Sequence, residues 1–163
     1  DQSALRSAPE QAALIELLEH TLAAAEQASA EIHLETDLPP KVMVRVLERI
    51  NHHLVRANYD IGNSAALGRD PSEELVVLGP WLGSVHIKDR IRGGGSVTLG
   101  SGDADFRACF RIFRAIGFAG PFILQTARES GLSEVALAAR NRHFVEGQVA
   151  ASGEPCLENG PRA

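Results

Sequence analysis

Apolar positions along the chain switch between two periods, and the switches divide it into repeating units. Residues 9–29 carry Leu14, Leu17, Leu18, Leu22 and Ala25 at helical spacing, with Pro9 suited to a first turn. A short strand, Glu31-Ile32-His33-Leu34-Glu35, follows and ends on a carboxylate. After Pro39-Pro40, Val42, Val46, Leu47 and Ile50 fall on one face of a second helix that runs to His52-His53. Val55–Asp60 reads as a strand that again ends on a carboxylate, and Ile61-Gly62-Asn63 as a turn. Asp70-Pro71 starts a helix whose apolar part is Leu75 to Leu78, with Asp70 as cap. Ser84–Ile87 is the next strand, and a Gly-rich stretch through Gly93-Gly94-Gly95 and Gly100-Ser101-Gly102 leads away from it. Residues 103–116 then form an amphipathic helix with Phe106, Cys109, Phe110 and Phe113 inward, stopped by Gly117. Phe122–Gln125 is a fourth strand and Ser133–Val149 a last helix.

Short apolar strands, each followed by a helix, predict an α/β protein with a parallel sheet and crossover helices. Four such units make half of a (β/α)8 barrel or a small open sheet. Residues 1–150 are expected to form this one partial domain, and residues 151–163, which have no periodicity, a disordered tail. A four-stranded half-barrel has two open edges and an uncovered inner face. The chain is therefore expected to pair with a second copy, to belong to a longer protein, or to be poorly stable alone. The absence of an initiator Met fits a processed product or a fragment.

Composition narrows the function classes. Among 163 residues, 44% are hydrophobic and 23% charged, an ordinary globular balance. The net charge of −5 and pI near 5.7 argue against nucleic acid or an anionic membrane as partner. No apolar run is long enough for a membrane-spanning helix, and the N-terminus lacks the apolar core of a signal peptide. Cys109 and Cys156 are far apart and outside any C-x-x-C pattern, which fits reduced thiols in the cytoplasm.

The strands end on Glu35, Asp60, His86 and Gln125. In a parallel barrel these would meet at one mouth, on the C-terminal face. Taken singly, each is an ordinary polar residue at a strand end. Four in register point to a common site. Two carboxylates, an imidazole and an amide oxygen suit a divalent Mn²⁺, Mg²⁺, Co²⁺ or Zn²⁺ rather than a thiolate metal. Other residues have plainer readings. His33 is expected to contact a helix, and His52-His53 to lie solvated at a helix end. Lys88-Asp89 is either a strand-end ion pair or part of the site. Gly93-Gly94-Gly95 is read as a mobile loop over the mouth. Arg90, Arg92 and Arg128 are either phosphate ligands or surface charge.

Four segments resemble the xylose-isomerase-like barrel sugar isomerases and epimerases. They are His33-Leu34-Glu35, Tyr59-Asp60-Ile61-Gly62-Asn63, Val85-His86-Ile87-Lys88-Asp89 and Leu99-Gly100-Ser101-Gly102-Asp103-Ala104-Asp105-Phe106. They are similar to motifs of that family's strands five, six and seven and of the segment after strand seven. The resemblance covers about residues 10–150 and implies strands 5 to 8, the C-terminal half of the barrel. It implies that Glu35, Asp60 and His86 are metal ligands and that Glu35 is also an acid/base carboxylate. Asn63 and Arg92, and with them Lys88, would contact a sugar or sugar-phosphate substrate. The family's fourth ligand and second acid/base is a strand-eight glutamate. Here that position is Gln125, which can ligate through its carbonyl but cannot exchange a proton near neutral pH.

The implied reaction is proton transfer beside a carbonyl, through an enediolate, with the metal as Lewis acid. Gln125 shifts the expectation from two-faced epimerisation toward isomerisation or dehydration. The alternatives are a lyase or dehydratase on the same fold, such as an inositol-derivative dehydratase, and a catalytically silent metal- or sugar-binding half-barrel.

Overall fold

The computed structural model describes Leu5 and residues 7–153. Helix α1 (Ala8–Ala28) opens on a capping box: the Ser7 hydroxyl accepts from Glu10 N, and the Glu10 carboxylate accepts from Ser7 N at 2.7 Å. Strand β1 (Ile32–Leu34) follows, then α2 (Pro40–Ile50) and β2 (Val55–Asp60). Two short helices, α3 (Ile61–Ala66) and α4 (Pro71–Leu78), lead to β3 (Leu82–Ile87). A two-stranded antiparallel hairpin, β4 (Asp89–Arg90) and β5 (Ser96–Val97), precedes α5 (Phe106–Ala115), β6 (Phe122–Leu124) and α6 (Glu134–Ala151).

Four strands form one parallel sheet in the order β1-β2-β3-β6, the sheet expected from the alternation of strands and helices. The two-residue period of a strand sends Val55, Ala57 and Tyr59 to one face and Asn58 and Asp60 to the other. The first set, with Val85 and Ile87, packs under Val46 and Leu47 of α2, Leu75 of α4, and Phe110 and Phe113 of α5. Phe113 is at the centre, in ring contact with Tyr59, Phe110, Phe118 and Phe122 at centroid distances of 5.5–6.3 Å. Burying one such ring contributes about 2–3 kcal/mol. Strands β1 and β6 are the sheet edges among the described residues, and Ile123 and Leu124 of β6 stay partly exposed. No helix among them is long and apolar enough to cross a membrane.

Several expectations change. Ile61-Gly62-Asn63 is not a turn but the first turn of α3, because the Asp60 carboxylate accepts from Asn63 N at 2.8 Å and caps a helix there. His52 and His53 do not end α2. The helix stops at Asn51 in the left-handed conformation, and His52 Nε2 lies 3.1 Å from Glu26 of α1. Leu17, placed on the inner face of α1 by spacing, is exposed, while Leu18 and Ala25 are buried. The Gly93–Gly95 loop is closed at its base by the β4–β5 ladder. The last helix extends to Ala151, and residues 154–163, including Cys156, lie outside the described residues.

Cys109 is buried near Tyr59 and the acids of neighbouring turns. Burial first, then the charges of Asp105 and Glu74, pushes its thiol from the ordinary 9.0 up to about 12. Burial, with Cys109 and Glu74 nearby, drives the Tyr59 phenol upward as well. A raised folded-state pKa adds stability that is whole below pH 9 and is lost as pH rises toward 12. In a Cys156→Ser background the remaining thiol is expected to resist a thiol-specific reagent at about pH 8 and to react fully in denaturant. Rapid native-state labelling would contradict this burial.

Candidate metal centre

Strands β1, β2 and β3 end side by side, and the chemistry-bearing residues stand at those ends. Asp60 and His86 are direct partners in the β2–β3 register, so their side chains share a face by construction. Glu35 follows β1 by one residue. One ligand atom from each of Glu35, Asp60 and His86 lies within 4.8 Å of the others. His86 Nδ1 is 2.9 Å from Glu35 Oε2 and 3.7 Å from Asp60 Oδ2.

The carboxylates are held by divided labour. Asp60 Oδ1 caps α3, which leaves Oδ2 free to face the cluster. Lys88 Nζ approaches that oxygen at 2.9 Å. Glu35 Oε1 accepts from Asn63 Nδ2 at 2.8 Å, and Oε2 from Asn58 Nδ2 at 3.0 Å. Asn58 is oriented in turn by the Ser84 hydroxyl, which donates to its Oδ1 at 2.8 Å. Gly62 lets α3 approach, since a Cβ there would meet Lys88 Cγ at 2.7 Å and its carbonyl carbon at 2.9 Å.

Two atoms in this arrangement are buried without a hydrogen bond: Asp60 Oδ2 and His86 Nδ1. Both have partners at ion-pair distance, Lys88 and Glu35, but at angles that form no hydrogen bond. The ion pairs offset part of the burial cost, and each atom keeps hydrogen-bonding or ligating capacity open to a further partner. The donor set of two carboxylate oxygens and one imidazole nitrogen fits a hard or borderline divalent cation. The Lys88 ammonium supplies positive charge at the same oxygen.

The other residues that the sequence assigns to a site divide as follows. Asn63 and Lys88 join the cluster. Gln125 continues the β6 ladder, with its N–H donating to Ile87 O at 3.0 Å, and it is exposed. Ile123 is the register partner of His86, and Gln125 two residues on shares its parity. Arg92 is not drawn to the cluster. Its backbone N–H donates to Asp103 and its guanidinium lies against Gly68. The polar partners of His33 lie within the sheet and its flank: its Nδ1 is 2.8 Å from Ser84 Oγ and its Nε2 2.8 Å from Glu31, on the Asn58 side. Lys88 and Asp89 form no ion pair with each other. Lys88 turns to Asp60, and Asp89 accepts backbone N–H bonds from Gly100, Gly102 and Ala104. Asn58 and Ser84 support the site although the sequence reading does not single them out. Asn58 carries a usable signal, because it sits two residues before Asp60 in a strand and so on the same face. Ser84 stands in the same relation to His86.

A parallel α/β sheet that gathers ionisable residues where its strands end is the arrangement of barrel-type α/β proteins, which build their sites on that face. The chain belongs to the xylose isomerase-like TIM barrel family, which it matches over residues 5–147. Over 95 residues it is 32% identical to the L-ribulose-5-phosphate 3-epimerase UlaE of Salmonella paratyphi C, a match covering 58% of this chain and 34% of that protein. The fold is similar to a xylose isomerase domain protein from Planctomyces limnophilus (TM-score 0.74, 24% identity, 88% of this chain and 55% of that one). It is also similar to a xylose isomerase-like TIM barrel protein from Mycobacterium smegmatis in complex with magnesium (TM-score 0.68, 22% identity, 90% and 53%). The matched region thus spans about a third of the curated relative and about half of the solved chains.

Proposed function

We propose that this chain is the strand-five-to-eight half of a divalent-metal-dependent sugar or sugar-phosphate isomerase or epimerase. The observation that carries the reading is the pair of buried, hydrogen-bond-free atoms, Asp60 Oδ2 and His86 Nδ1, converging beside the Glu35 carboxylate. Glu35, Asp60 and His86 would hold the cation, with the Gln125 carbonyl as a fourth donor. The Mycobacterium smegmatis neighbour holds magnesium, and the name of the Salmonella relative specifies a phosphorylated ketose. When bound, the cation would polarise a substrate carbonyl and offset the negative charge that develops there. Glu35 takes the proton from the adjacent carbon. Asn58 and Asn63 hold one oxygen each of its carboxylate, which fixes the plane from which it approaches. Lys88 and Asn63 would contact substrate hydroxyls.

The amide of Gln125 cannot return a proton on the opposite face. This favours transfers that one carboxylate can complete, namely aldose–ketose isomerisation or dehydration, over two-base epimerisation. The partial span against its relatives and the edges at β1 and β6 support a functional barrel completed by further chain or by a second copy. The deciding experiment is calorimetric titration with Mn²⁺, followed by turnover assays on keto-sugars and their phosphates. Saturable binding near one equivalent is expected, and its absence would sink the reading. Gln125→Glu is expected to retain Mn²⁺ binding and tighten it several-fold by adding a charged ligand. Unchanged Mn²⁺ affinity in that variant would remove Gln125 from the site.

A further inference from the structure

Arg90, Arg92 and Arg128 differ in their surroundings and in what their side chains bond. Arg128 is 90% exposed and lies 3.7 Å from Glu134 on the surface. Arg92 lies against Gly68. Arg90 is half-buried, and all of its side-chain hydrogen bonds go to neutral oxygens. Nη1 donates to Asn63 Oδ1 at 2.9 Å, while Nε and Nη2 both donate to the Gly94 carbonyl, at 3.1 and 2.7 Å. Among the described residues no carboxylate pairs with it. Lys88 is compensated by Asp60 and Arg69 by Glu74, while Arg92 is exposed and reaches only the Gly68 carbonyl, at 3.5 Å, so Arg90 is the partly desolvated one.

A partly desolvated guanidinium without a counter-charge is a strong oxyanion receptor, since its fork matches two oxygens at once and no internal partner competes. Here the Nε–Nη2 edge is filled by a single neutral carbonyl, a weaker acceptor than an oxyanion. The base of the loop is rigid. Arg90 O accepts from Asp103 N at 2.9 Å, Arg90 pairs with Ser96 across the hairpin, and the preceding Asp89 is held by three amides. The tip has room, because a side-chain atom added at Gly93 or Gly95 would meet nothing within 4 Å. Gly93 N–H and Gly94 N–H are tied to Ala66 O and Ile91 O at 2.8 and 2.7 Å, so the movement open to the Gly94 carbonyl is rotation of the Gly94–Gly95 peptide between its two glycines while the arginine stays in place. Through Asn63, Arg90 stands two hydrogen bonds from Glu35.

We propose that Arg90 anchors a terminal oxyanion of the substrate, a phosphate or a carboxylate, and that the Gly94 carbonyl occupies its fork until the anion arrives. The inference rests on the reading of Glu35, Asp60 and His86 as the metal-centred site, and gives that site's substrate a charged end.

Inorganic phosphate and acetate, titrated separately into ¹⁵N-labelled protein, are the probes, read at the arginine Nε–H resonances and by calorimetry. Arg90 Nε–H, assigned by its loss in Arg90→Lys, is expected to shift saturably with the preferred anion. A phosphate response above that of acetate specifies a phosphorylated substrate, and the reverse a sugar acid. Arg90→Gln should weaken binding by roughly tenfold or more, and Arg90→Lys by less, since it keeps the charge but loses the fork. An Arg90 resonance that ignores both anions, or equal affinity in wild type and Arg90→Lys and Arg90→Gln, overturns the proposal. Mn²⁺ titration of the same proteins separates the two readings: Arg90→Gln that binds Mn²⁺ normally but not the anion isolates Arg90, and wild type that takes the anion but not Mn²⁺ refutes the metal site alone.

Discussion

Asp60→Asn is expected to weaken Mn²⁺ binding by roughly 100-fold or more while leaving the fold in place. The substitution keeps the side chain's shape and an oxygen in the Oδ1 position, which accepts from Asn63 N and caps α3. It removes the charge from the Oδ2 position, which faces His86 and Lys88 from a nearly fully buried side chain. An amide nitrogen in that position would also point its protons at the Lys88 ammonium. Calorimetric titration with Mn²⁺ measures the first effect and a urea melt the second. Unchanged affinity in a folded Asp60→Asn protein would mean that the carboxylate serves only to pair with Lys88.

The greatest loss of stability is expected at Asp89, which belongs neither to the metal cluster nor to the hydrophobic core. The residue is completely buried. Oδ2 accepts from Gly100 N at 2.8 Å and Gly102 N at 2.9 Å, and Oδ1 from Ala104 N at 3.2 Å. One carboxylate thus ties the far end of the Gly-rich loop to the start of β4. Asp89→Ala leaves three backbone donors without an acceptor and should cost about 3–5 kcal/mol in denaturant unfolding. Asp89→Asn, with one acceptor oxygen, should cost about 1–2 kcal/mol. A loss below that for alanine would show that water replaces the carboxylate without penalty. The same contact explains Gly102, where a Cβ would run into the Asp89 carboxylate and the Arg90 carbonyl.

Much of the fold can be read along the chain because the relevant signals are local. Val55–Asp60 and the strand around His86 are legible because short β-rich runs are bounded by turn residues, and Asp70-Pro71 because cap and first-turn chemistry is written in adjacent residues. The helix at Ile61 escapes because its cap is a strand-end carboxylate, a residue that also has a place in the site. The role of Asp89 escapes because its three partners lie 11 to 15 residues away along the chain. Nothing in the spacing of charges distinguishes an acid that binds amides from one that pairs with the adjacent lysine. The Ser84 partner of His33 escapes for a related reason: it is 51 residues away, across the sheet.

The candidate site divides along the same line. Side-chain pattern alone puts Glu35, Asp60 and His86 at the ends of successive strands, since strand period and helical crossover follow from it. The order of residues also puts an amide, Gln125, at the end of the fourth strand. The partners of each group came from the folded chain. Folding gave one Asp60 oxygen to a helix cap and left the other facing the cluster, bound Glu35 between Asn58 and Asn63, turned Lys88 toward Asp60, and left Arg90 with neutral acceptors. The physical reason is that a hydrogen bond or an ion pair depends on position and angle to a few tenths of an ångström. Those are fixed by the packing of the whole sheet and its helices, not by the order of residues along one strand.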